Sequence, residues 1–72
     1  MSHTVRAEMV ASVHSVITDV GQEVAVGETL LILESMKMEI PVLAEVAGTV
    51  AEIAVVPGDV IREGDVLAII AT

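Results

Sequence analysis

The chain has no cysteine and no phenylalanine, tyrosine or tryptophan. Without cysteine, neither a disulfide nor a thiolate metal site can hold a small fold together. Without aromatics, the core has to be built from Val, Ile, Leu, Ala and Met, and at 54% hydrophobic the chain has enough of them. Positive charge is also scarce: three basic residues stand against eleven acidic ones, a formal charge of −8. Binding to phosphates requires clustered Lys and Arg, so this balance argues against nucleic acid and anionic membranes as partners. No run approaches the roughly 20 apolar residues that span a bilayer. Residues 1–6 lack the basic start and apolar core of a secretory signal. The expected location is the cytoplasm, and the acidic surface favours a soluble module that is monomeric in isolation. A sustained apolar period of 3.6 is missing too, so no helix is expected.

What is present is one unit used twice. Residues 5–33 align with residues 42–70 at an offset of 37 with no gap, with identities such as Val5/Val42, Val13/Val50, Gly21/Gly58, Gly27/Gly64 and Leu30/Leu67. Two copies are too few for a solenoid. A single domain over residues 1–72 with pseudo-twofold symmetry, each half completing the other's core, fits better. Val and Ile dominate, and the segments are short and broken at Gly21, Gly27, Gly48, Gly58 and Gly64. Strands are expected near 5–9, 12–18, 23–25 and 29–34, and again near 39–44, 48–55, 60–62 and 66–70. The apolar phase slips by three from Val13 to Val16 and again from Val50 to Ile53. Alternation gives two or four, so a β-bulge is expected in both halves. The recurring Gly-x5-Gly spacing predicts positive φ at turns flanking a very short strand. It is not a phosphate loop, since no helix or Lys-Ser/Thr pair follows.

Between the copies stands Glu34-Ser35-Met36-Lys37-Met38-Glu39. Lys37 is the only lysine of the chain. Strand-like runs on both sides predict a β-hairpin with its tip at Ser35 to Met38, and the chain termini should lie together away from it. Tight turns recruit Gly, Asn or Asp because of the backbone angles they demand, so Met and Lys break the local rule here. Such breaks concentrate at functional or strained sites.

That stretch resembles the biotin-attachment motif, Glu-Ala/Ser-Met-Lys-Met, of the biotinyl domains of biotin-dependent carboxylases. Gly48-Thr49-Val50, Gly58-Asp59-Val60 and Gly64-Asp65-Val66-Leu67 are similar to the second half of the same family, and the resemblance runs from about Val5 to Ile70. It extends to the small stand-alone biotin carboxyl carrier proteins of actinobacteria and other bacteria. The resemblance implies an all-β fold, a flattened barrel or barrel-sandwich hybrid of two four-stranded antiparallel sheets related by a quasi-twofold. Some carrier domains have a protruding thumb in the first half; the gapless repeat implies that none is present here. By the same resemblance Lys37 is acylated by a biotin protein ligase using biotinyl-5′-AMP. The lysyl biotin then takes CO₂, as carboxybiotin, from a biotin carboxylase site to a carboxyltransferase site. Met36, Met38 and Glu34 would serve recognition by ligase or carboxylase, methionine packing adaptably on a partner surface. Glu39 is the other acidic flank.

Three other readings compete. A lipoyl carrier domain of a 2-oxoacid dehydrogenase or glycine-cleavage complex would share the fold, but its tip usually carries Asp-Lys-Ala or similar. The methionines on both sides of Lys37 favour biotin. An unmodified β-module would predict that replacing Lys37 removes only a charge. An enzyme in its own right is disfavoured, because His3 and His14 are far apart in sequence and are read as a tail and an exposed strand position. The scattered carboxylates lack the spacing of a calcium loop.

Overall fold

All 72 residues are described in the computed structural model, which contains strands, turns and no helix. The strands are β1 (Ser2–Arg6), β2 (Ala11–Val16), β3 (Glu23–Val24), β4 (Thr29–Ser35), β5 (Met38–Leu43), β6 (Gly48–Ile53), β7 (Val60–Ile61) and β8 (Val66–Ala71). They form two four-stranded sheets, ordered β1-β8-β6-β3 and β5-β4-β2-β7, with every pairing antiparallel. Moving each strand four places along the chain turns one order into the other. This is the quasi-twofold expected from the repeat. No helix is long and apolar enough to cross a membrane.

The halves interlock at their glycine turns. Gly21 N–H donates to the Val50 carbonyl (2.7 Å) and Val50 N–H to the Gln22 carbonyl (2.9 Å). In the copy, Gly58 N–H donates to the Val13 carbonyl and Val13 N–H to the Asp59 carbonyl, both at 2.8 Å. Gly27 with Ala44, and Gly64 with Ala7, repeat the arrangement further along. The φ angles of Gly21 (93°), Gly27 (91°), Gly58 (96°) and Gly64 (92°) lie in the region that L side chains avoid. The phase slips are bulges: the ladder shifts between Val13 and Ser15 in β2 and between Val50 and Glu52 in β6. Each bulge lets its strand keep Val13 and Val16, or Val50 and Ile53, on the inner face.

Fifteen aliphatic side chains make the core, with Leu30, Leu31, Leu67, Ile70 and Val50 at its centre. The one buried polar residue, Thr18, donates its hydroxyl to the Leu30 carbonyl at 3.2 Å. No buried side-chain polar atom lacks a partner. The interior is therefore an aliphatic core whose few buried polar groups are satisfied within the chain.

One sequence expectation changes. Strand β1 begins at Ser2 and ends at Arg6, not at 5–9, so His3 is no tail residue: it is half-buried and pairs with Ile70. The long β8 supplies hydrogen bonds along that whole segment, which its own polar sequence did not advertise. Gly48 opens β6, in line with the strand expected near 48–55. An added Cβ there would collide with the Ala71 carbonyl oxygen and come within 2.8 Å of Ile70 Cγ2. Its role is close backbone approach.

Candidate functional site

Strands β4 and β5 form a hairpin whose last cross-strand pair is Ser35–Met38. Met36 and Lys37 alone make the connection. Their φ angles, 52° and 65°, are both left-handed, as a two-residue type I′ hairpin loop requires. They are the only residues other than glycine with positive φ. For an L residue this conformation costs roughly 1–2 kcal/mol each, and the hairpin ladder beneath holds it in place. Met36 is 92% exposed and Met38 64%, so the methionines contribute nothing to the core. Lys37 is exposed and belongs to no ion pair. Its amine is a single uncommitted nucleophile on a fixed arm, flanked by two bare, polarisable apolar surfaces.

Just below the tip, Glu34 and Glu39 face each other directly across the two strands. Like charges in that position disfavour the hairpin. Both side chains are exposed, and neither has a basic partner from Lys or Arg. His14, the extra residue of the β2 bulge, brings Nε2 to 3.9 Å from Glu39 Oε2 on the same outer face. It is a histidine–carboxylate contact, and it is largely exposed. The association of His14 with the tip region was not seen from sequence. Its signal was the phase slip after Val13, which turns residue 14 outward. No cluster of His, Asp or Glu could hold a metal.

Thus Glu34, Met36, Lys37 and Met38 gather at one end of the β4–β5 hairpin, with Glu39 and His14 beside them. No nucleophile–base pair and no pocket surrounds Lys37. The chain's concavity, about 240 Å³, lies instead between the edge strands β1 and β5. An exposed, unpaired primary amine on a rigid turn fits a group held by an amide bond, and no non-covalent cradle is needed.

Comparison with known proteins agrees with this geometry. The family profile described as "Biotin-requiring enzyme" matches residues 3–70. The "Biotinylated protein TB7.3 homolog" of Mycobacterium leprae is 54% identical over 71 residues, covering 99% of this chain and 100% of that protein. The "Biotin/lipoyl attachment protein" of Bacillus subtilis is 42% identical over 64 residues, covering 89% of this chain and 88% of that one. Among solved structures, the urea carboxylase of Kluyveromyces lactis superposes with a TM-score of 0.93 at 30% identity, over 99% of this chain and 6% of that chain. The chain belongs to the biotin/lipoyl-attachment family, as a non-catalytic carrier domain of biotin-requiring enzymes with biotin as its covalent cofactor.

Proposed function

We propose that Lys37 is the attachment residue, and that the whole chain, 1–72, works as one carrier domain passing a carboxyl group between two enzyme sites. The observation that carries this is the tip itself: the only lysine, exposed, in a left-handed turn between two exposed methionines. A free lysine amine is a cation at neutral pH, so a biotin protein ligase has to take its proton before Nζ can attack biotinyl-5′-AMP. The amide forms, AMP leaves, and the formal charge falls from −8 to −9. When bound, biotin supplies the ureido nitrogen on which the carboxyl group travels. Met36, Met38 and Glu34 are the surface that ligase and carboxylase read. The partners are then a biotin carboxylase and a carboxyltransferase, in the cytoplasm. Tethering makes delivery between them intramolecular, which raises the effective concentration of the carried group.

The test is intact-protein mass measured before and after incubation with biotin, ATP and a biotin protein ligase. One biotinyl group gained by the native chain and none by Lys37→Arg supports the assignment. A gain with a lipoyl ligase alone would make the cofactor lipoate, the alternative that the name of the Bacillus subtilis relative includes. No gain with either would leave Lys37 a surface charge.

A further inference from the structure

The groove between β1 and β5 lies where the two halves of the repeat meet: the offset of 37 pairs Val5 with Val42, Arg6 with Leu43 and Glu8 with Glu45 within its lining. One of its two walls, β5, runs to the Lys37 tip.

Ile40 is two residues along β5 from Met38, which follows Lys37, so the Lys37 and Ile40 Cα atoms are at most about 10 Å apart at ~3.3 Å per residue. A biotinyl group on Lys37 is joined to Cα by the lysine methylenes, an amide and the valeryl chain, a tether longer than that separation. The floor of the groove is aliphatic, with Val5, Ala7, Leu33, Val42 and Leu67, and Met9 stands 39% exposed among its lining residues. Arg6 and Glu8 are polar members of the same lining. The Arg6 guanidinium donates one N–H to the Gly64 carbonyl at 3.0 Å and has further N–H groups to offer. A guanidinium and a carboxylate lining one groove can complement a ureido group, whose carbonyl accepts and whose N–H groups donate.

We propose that this groove is the resting seat of the biotinyl group carried on Lys37, the ring against Met9, Ile40 and Val42 and the ureido edge toward Arg6 and Glu8. The proposal rests on Lys37 being the attachment residue. A short tether supplies an effective concentration in the millimolar range, so a seat too weak to hold free biotin is still occupied by the tethered group. Weakness suits a carrier, since each enzyme must draw the arm out again. No bond is made or broken in seating.

The experiment compares methyl-labelled chain, unmodified and with biotinylation verified by intact mass, by proton–carbon correlation NMR. The expected result is a shift of the Met9, Ile40, Val42 and Leu43 methyls on biotinylation, with cross-relaxation to the ring protons of biotin. Met9→Glu and Leu43→Glu, at positions 39% and 46% exposed, each abolish those shifts while the signals of Ser35 to Glu39 still respond. Shifts confined to Ser35–Glu39 in the biotinylated native chain overturn the seat and leave the attachment reading standing. Groove shifts that disappear on dilution show the arm of one molecule in the groove of another and also overturn it. Failure of the native chain to gain biotin overturns both readings.

Discussion

At the scale of single residues, the tip trades stability for chemistry. Met36 and Lys37 hold φ angles that Asn and Gly adopt at little cost. The double variant Met36→Asn/Lys37→Gly is expected to gain roughly 1–3 kcal/mol in urea unfolding while losing all biotin uptake. Unchanged or lower stability would show that the turn is not strained. Glycines at two kinds of position should fail for different reasons. Gly58 has φ 96° and open space around an added Cβ. Gly58→Val is therefore expected to cost more than ~1 kcal/mol through backbone angle alone. Gly48 has no positive φ, and Gly48→Ala is expected to cost about 1–3 kcal/mol through overlap with the Ala71 carbonyl. A thermal melt unchanged by either substitution would remove the corresponding assignment.

At the scale of elements, the β4–β5 hairpin is sound in its body and unfavourable at its end. Leu31 and Leu33 are buried and Pro41 lies on β5, an outer strand where a missing N–H is tolerated. Toward the tip, Glu34 opposes Glu39. Replacing one carboxylate by a cation turns repulsion into attraction, so Glu34→Lys is expected to stabilise the chain by about 0.2–1 kcal/mol. The same change should slow acylation by the ligase. A faster or equal ligase rate would free Glu34 of any role in recognition. The two bulges offer an internal comparison: His14 and Ala51 occupy the same place in the two halves. His14→Ala should accordingly alter stability by no more than about 0.5 kcal/mol.

At the scale of the molecule, the quasi-twofold makes the two ends of the chain the counterpart of the tip. Ser35 and Met38 map onto Thr72 and Met1, and Thr72 N–H donates to the Met1 carbonyl at 2.9 Å. The gap between the ends is thus the place of a two-residue hairpin loop. Closing it with Asn-Gly should give a cyclic chain with the same fold, stabilised by up to about 4 kcal/mol if loss of unfolded-state entropy dominates. A lower melting temperature in the cyclic chain would mean that the ends do not meet in the geometry of the tip.

The hairpin tip, the bulges and the positive-φ glycines were all legible in the sequence, because each is written in local signals. Apolar period, glycine spacing and turn chemistry act over a few residues, and the repeat displayed them twice. The strand character of His3, the close approach at Gly48, the approach of His14 to Glu39, and the groove were not legible. Each depends on which distant segment lies alongside: Ile70 beside His3, Ala71 over Gly48, β2 and β5 on either side of β4, β1 across from β5. Local propensity determined where the chain turns and which side chains face inward. Only tertiary pairing decided what each exposed residue stands next to, and so which outward residues share a surface with Lys37.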